Sequence, residues 1–268
     1  MEKPRVKWVF QEGIAEVMLC RGDKLNALDR AMFDAIDETL NALSRQKGLR
    51  AVILHGEGRA FCAGLDVKSM LRQPVAALEI LRREADEATN LAQRVAYGWH
   101  QLPVPVIAVT QGVCFGGGLQ IALGADFRFS TPDCRFSVME IKWGIIPDMS
   151  GSVTLRNLMG VDVAMELAMS GRELDAQEAR ALGLVSRVCE DPLDAAREFA
   201  RTLITKSPDA LAGIKQLYHQ AWARSDEVML KEETRLQQQI LGRPNQWRAT
   251  LNSLFRWRLP FGPRRNVL

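Results

Sequence analysis

The chain has 268 residues, 47% of them hydrophobic and 25% charged, with a formal net charge of +3. This is enough apolar material for a sizeable globular core, and the near-balanced charge gives no bulk field that would point to nucleic acid or a membrane surface. The five cysteines, Cys20, Cys62, Cys114, Cys134 and Cys189, are widely spaced and odd in number, which argues against a disulfide framework and for reduced thiols in a cytoplasmic protein. The first residues lead into a strand-like run without an apolar signal segment, and no stretch of apolar residues is long enough to span a bilayer.

Residues 6–10 and 14–19 read as two strands joined by a tight turn at Gln11, Glu12 and Gly13. Asp29 is placed to cap a helix running to about Gln46, with Met32, Phe33, Ile36, Leu40 and Leu43 on one face. A short apolar strand follows over 49–55, then a break at Gly56 and Gly58, the segment 59–66, and a polar stretch of helical character to about Gln101. Pro103 and Pro105 flank the entry to a strand at 106–110; a glycine-rich turn spans 112–118, a short helix 119–123, and further strands 126–130 and 135–137. Beyond Pro147 the pattern is read as entirely helical, over roughly 149–159, 161–169, 175–182, 192–206, 208–223, 226–241 and 245–256. Strands alternating with helices, followed by helices alone, predict an α/β core with a helical C-terminal region.

Three segments carry chemistry. Ala60-Phe61-Cys62-Ala63-Gly64-Leu65-Asp66 ends a strand in small residues whose backbone N–H groups can face an anion; taken alone it is equally a plain loop with Gly64 at positive φ. Gly116-Gly117-Gly118-Leu119-Gln120 allows a ligand to lie directly on main chain at a helix N-terminus. It fits neither the dinucleotide fingerprint nor a P-loop. In Phe136-Ser137-Val138-Met139-Glu140, followed by Gly144-Ile145-Ile146-Pro147-Asp148, Glu140 lies among apolar residues, where desolvation would raise its pKa toward acid–base use. Asp148 follows a proline and precedes a helix, so it is also a candidate N-cap. His55, His100 and His219 lack metal-ligand spacing, so no metal site is expected.

Together these segments resemble the enoyl-CoA hydratase/isomerase (crotonase) superfamily. Its A-F-x-A-G-x-D signature is met by Ala60 to Asp66, its G-G-G loop by Gly116 to Gly118, and its F-x-x-x-E … G-x-x-P stretch by Phe136, Glu140, Gly144 and Pro147. Lys24-Leu25-Asn26-Ala27-Leu28 looks like the segment before the family's first helix; Ser170-Gly171, Ala176, Ala179 and Gly183-Leu184-Val185 look like its downstream pattern. The resemblance implies a crotonase-like (ClpP/crotonase) spiral of repeated β-β-α units over 1–200 and a C-terminal helical trimerisation region over 201–268. It also implies an acyl-CoA substrate with no separate cofactor, and homotrimers or hexamers in which a C-terminal helix meets a neighbour's site, a contact with which Leu236, Ile240, Leu251, Leu254 and Phe255 are compatible.

It further implies that the thioester oxygen lies between the N–H groups of Leu65 and Gly117, with the coenzyme A arm along Lys24, Asn26, Ala27, Ala63, Gly64, Asp66, Val67, Lys68 and Gly116. Tyr97, Trp99, Phe115 and Trp143 are candidate pocket walls. The departure is at Gln120, where the family's hydratases place one of two glutamates; an amide hydrogen-bonds but does not carry the proton. The reading is therefore double-bond isomerisation, with Glu140 as principal base, Asp148 as a second acid–base group and Gln120 orienting substrate or water. Alternatives are a hydratase and a non-catalytic acyl-CoA-binding homologue. Arg256, Arg258, Arg264 and Arg265 form a basic tail, read as solvated or held at an interface rather than RNA-binding.

Overall fold

A computed structural model describes residues 3–72, 74–220, 222 and 224–265. Two positions of the helix expected over 208–223, namely 221 and 223, lie outside the described residues. The chain opens with the antiparallel pair β1 (Val6–Gln11) and β2 (Ile14–Leu19), turning at Glu12 and Gly13, both at positive φ. A turn over 22–24 leads to α1 (Arg30–Arg45), whose first turn is capped by Asp29 accepting from the Met32 N–H. The stripe Met32, Phe33, Ile36, Leu40 and Leu43 is buried, as the helical spacing predicts.

β3 (Ala51–Gly56) pairs in parallel with β2, and the residues after it cross into a second layer through α2 (Val67–Arg72) and α3 (Pro74–Glu79). An irregular stretch then reaches α4 (Leu91–Gln101), begun by a capping box between Asn90 and Gln93. β4 (Val106–Thr110), β5 (Val113–Phe115) and α5 (Gly117–Leu123) follow, then β6 (Phe127–Ser130) and β7 (Arg135–Ser137). A 3₁₀ turn, Glu140–Trp143, precedes α6 (Gly151–Leu155), α7 (Val161–Ser170), α8 (Ala176–Ala181) and β8 (Arg187–Val188). Last come α9 (Pro192–Ile204), α10 (Pro208–Gln220), α11 (Asp226–Ile240) and α12 (Pro244–Phe255).

The main sheet has the order β1-β2-β3-β4-β6-β8, parallel from β2 onward. β5 and β7 form a separate parallel pair, extended by a bridge from Cys62 to Cys114 on one side and from Phe136 to Leu174 on the other. The chain thus repeats one motif: a strand in the main sheet, a short strand or bridge in the small layer, then a helix. β3 with Cys62 and α2, β4 with β5 and α5, and β6 with β7 and α6 are three such turns. This is the spiral that the sequence motifs imply.

The central strands β3, β4 and β6 are buried on both faces, which explains their near-continuous apolar runs, whereas the edge strand β1 is largely exposed. Val52, Leu54, Val106 and Ala108 face the large core shared with α1, α4 and α5, while Ile53, Ile107 and Phe129 face α9 through Ala196 and Ala200. α10 is held to the sheet by Lys215, whose Nζ lies 2.8 Å from Asp126 Oδ2 and also donates to the carbonyls of Trp99 and Val104. The expectation of helix alone after Pro147 is corrected by β8, which pairs with the edge of β6. Two residues are too short for a period-two pattern to register. β5 was likewise hidden inside the predicted glycine-rich turn. Among the described residues no helix is long and apolar enough to cross a membrane, and the five cysteines are free, four of them buried.

Candidate active site

The small layer brings two chain segments side by side. The segment 60–66 leaves the main sheet and turns at Gly64, where φ is +85°; a Cβ there would lie 2.8 Å from the Phe115 carbonyl oxygen and 3.6 Å from the Gly117 nitrogen. Only glycine permits both the conformation and the approach. Gly116, at φ +50°, ends the β5 register and starts α5. Gly118 packs against Cys62, so close that a Cβ would meet its Cβ at 2.6 Å.

The outcome is a pair of unused donors. Leu28 and Asp66 bond across each other's segments through Leu28 N–H to the Gly64 oxygen and Asp66 N–H to the Leu28 oxygen, bypassing Leu65. Among the described residues neither the Leu65 N–H nor the Gly117 N–H has a protein acceptor. Gly117 stands at the first position of α5, where the N–H has no partner within the helix.

Both residues line a cavity of about 440 Å³ together with Glu140 and Asp148. Its remaining walls are apolar and include Phe33 from α1, Met70 from α2, Ile80, Ala92 from α4, and Ile145 and Ile146. Glu140 opens the 3₁₀ turn and is 7% exposed. Burial pushes its carboxyl above the usual range, and the nearby Asp148 adds to that push, against a lowering contribution from the Gln120 amide. Its Oε2 is buried with no hydrogen-bond partner among the described residues. Asp148 is half-buried, and burial raises its carboxyl as well. The N-cap role considered for Asp148 is not what the structure shows: α6 begins after Ser150, at φ +69°, with no side-chain cap.

Gln120 is 2% exposed. Its Nε2 donates to Glu140 Oε1 at 2.6 Å, and its Oε1 accepts from the Met149 and Gly151 N–H groups, each at 2.9 Å. It does not line the cavity, so the expected role of orienting substrate or water directly is replaced by contacts within the protein.

A second depression, about 470 Å³, runs outward from Leu65 and is lined by Lys24, Ala27, Ala63, Asp66, Val67 and Lys68. Arg21, Arg72 and Trp143 complete it, and the sequence motifs do not mark either arginine. Asn26 is fully buried, its side chain bonding the carbonyls of Glu57 and Ala60 and the N–H of Arg21; its side chain shapes the loop instead of facing the groove. Asp66 caps α2 at the Ser69 N–H and pairs with Arg21 at 2.9 Å. Of the four expected aromatic walls, Trp143 lines this outer groove, whereas Trp99 is enclosed in the core with its indole bonded to the Val95 carbonyl and Tyr97 faces a different depression. Phe115 serves through its carbonyl beside Gly64.

A spiral of β-β-α turns carrying a free N–H pair between an apolar cavity and a basic groove defines the crotonase class of enzyme. The family model for enoyl-CoA hydratase/isomerase matches residues 9–247, and the chain belongs to this family of acyl-CoA enzymes. It is similar to 1,2-epoxyphenylacetyl-CoA isomerase of Escherichia coli K12, with 31% identity over 253 residues, covering 93% of this chain and 95% of that one. Among solved structures it superposes on an enoyl-CoA hydratase from Polaromonas sp. JS666 with a TM-score of 0.85 and 27% identity, covering 96% and 99% of the two chains. An enoyl-CoA hydratase from Mycobacterium tuberculosis H37Rv gives 0.84 and 26%, over 97% and 99%.

Proposed function

We propose that the enzyme shifts a double bond along an apolar, uncharged acyl chain held as its coenzyme A thioester. The observation that carries this reading is the placement of two carboxyls, both held above their usual range by burial, in one apolar cavity with the Leu65 and Gly117 donors. With a 3-enoyl thioester, ionised Glu140 takes the proton on the carbon next to the carbonyl. The C–H electron pair passes into the conjugated system, and the charge comes to rest on the thioester oxygen between the two N–H groups. Protonation at the far end by Asp148 leaves the 2-enoyl product. One proton has left and one has arrived, and no water is consumed.

Fixed donors aimed at that oxygen favour the enolate over the neutral thioester, and one such donor is worth about 3 kcal/mol. The upward direction of both carboxyls suits the task, because burial makes each a better proton acceptor than an exposed carboxylate. The basic groove, with Lys24, Lys68, Arg21 and Arg72, suits the phosphates of coenzyme A. Exposed apolar side chains, Ile141 and Ile146 beside the site and Leu254 and Phe255 on α12, favour assembly into a homotrimer or a hexamer.

Hydration of a 2-enoyl thioester is the second reading, favoured by the hydratases among similar structures. Against it stands Gln120, whose amide carries no transferable proton and is spent on Glu140 and two backbone donors. The test is proton exchange next to the thioester in Glu140→Gln and Asp148→Asn, alongside acyl-CoA binding. The proposal expects binding to persist in both while Glu140→Gln loses exchange and turnover; turnover that survives in Glu140→Gln overturns the assignment of the base.

A further inference from the structure

We propose that Gln120 is a positioning residue that locks Glu140 and the turn bearing Asp148 into one fixed pairing across the cavity. The inference rests on the isomerase reading above. The orientation of the amide is settled by its neighbours: two backbone N–H groups, from Met149 and Gly151, both point at the same side-chain atom, which is therefore the oxygen. The nitrogen must then face Glu140 Oε1, and it does so at 2.6 Å. This holds one carboxyl oxygen against the protein, while the other, Oε2, keeps no protein partner among the described residues.

The second arm of the bridge acts on Asp148. Met149 and Gly151 flank the tight turn at Ser150, two residues beyond Asp148, and the amide oxygen gathers both ends of it. Gly151 leaves room for this: a Cβ there would lie 2.8 Å from Gln120 Oε1. One buried side chain on α5 thus touches the 3₁₀ turn that carries Glu140 and the turn that carries Asp148.

A glutamate at 120 would not serve. One of its oxygens could take the two backbone donors, but the other would meet Glu140 Oε1 with no proton between them unless one carboxyl stayed protonated. The glutamine instead satisfies both backbone donors and Glu140 Oε1 without asking either carboxyl to hold a proton.

The experiment compares Gln120→Met, Gln120→Glu and Glu140→Gln by turnover of a 3-enoyl-CoA and by the pH profile of kcat/KM. Because the amide N–H favours ionised Glu140, its loss moves the acid limb of the profile to higher pH. For Gln120→Met the expected result is a fall in kcat of about tenfold to a hundredfold, the worth of a hydrogen bond to a charged group. KM should stay within about threefold, since binding of substrate is untouched. Gln120→Glu shifts the limb further in the same direction and gains no hydration.

Wild-type kcat and an unmoved limb in Gln120→Met, with Glu140→Gln inactive, would overturn the positioning role and leave the base in place. Turnover by Glu140→Gln would instead remove the isomerase reading itself. Should the variants at 120 fail to fold, the wild-type enzyme answers directly. With ¹⁵N-labelled glutamine, the Gln120 amide resonance is expected to titrate with the midpoint of the acid limb, and a resonance constant across that limb refutes the bridge.

Discussion

Gly64→Ala tests whether the spacing of the two N–H donors drives turnover. A methyl group at residue 64 would sit 2.8 Å from the Phe115 carbonyl oxygen, in a backbone conformation of φ +85°. The conformation alone costs about 1–2 kcal/mol for a residue with a Cβ. The contact is with main chain, so it is relieved only by separating the 60–66 segment from the end of β5. That movement carries the Leu65 N–H away from the Gly117 N–H. Loss of one donor's alignment at the developing oxyanion costs about 3 kcal/mol, or roughly a hundredfold in kcat. KM should change less, because the groove's cations Lys24, Lys68 and Arg72 lie outside the displaced segment, although Ala63, Leu65 and Asp66 within it also line the groove. Steady-state kinetics with a 3-enoyl-CoA and a thermal melt are sufficient. A melting temperature lowered by a few degrees with wild-type kcat would refute the idea that the closeness of these two loops sets the rate.

Three further outcomes are expected. Lys215→Met should destabilise the fold by about 3 kcal/mol, because it removes the ammonium group from the buried Asp126 carboxylate and leaves it only the Val106 N–H and His219 as neighbours. The melt should fall by about 2–4 °C for each kcal/mol, and the double change Lys215→Met with Asp126→Asn should recover part of the loss. Glu140→Gln should melt at or above the wild type at alkaline pH. Burial raises the folded Glu140 carboxyl above its unfolded value, so stability present at low pH is lost as pH rises through the folded pKa, and the amide escapes that loss; a difference in melting temperature that does not vary with pH would contradict this. Lys24→Ala and Lys68→Ala should each raise KM for acyl-CoA about twofold to fivefold with kcat held, and the effect should shrink at high salt.

Much of the fold could be read from local pattern. The capped α1, the hairpin of β1 and β2, and the helices from α9 onward announce themselves through periodicity, caps and turn residues whose physics is local. The resemblance of the signature segments to the family pointed to Leu65, Gly117 and Glu140, and the fold brings these three residues to one cavity. What escaped was whatever depends on distant partners. β5 and β8 exist only because β7 and β6 complete their hydrogen bonds. The stretch 67–101 divides into α2, α3, an irregular segment and α4, and the cavity wall it supplies through Met70, Ile80 and Ala92 follows from their burial in the large core.

Asn26 reads as a ligand contact and proves to be a buried fastener of its own loop, since a side-chain amide in a motif does not reveal which way it faces. Gln120 is the instructive case. Its identity showed that a proton carrier was missing, but only the fold shows what the amide does instead: it spans from Glu140 to the turn after Asp148.

The most direct test of the account is to incubate the purified enzyme with a 3-enoyl-CoA and with crotonyl-CoA in deuterated water and to follow mass and absorbance. Isomerisation of the 3-enoyl-CoA with deuterium uptake, and no addition of water to crotonyl-CoA, is the predicted result. A gain of one water on crotonyl-CoA, with the 3-enoyl-CoA left unchanged, would contradict it.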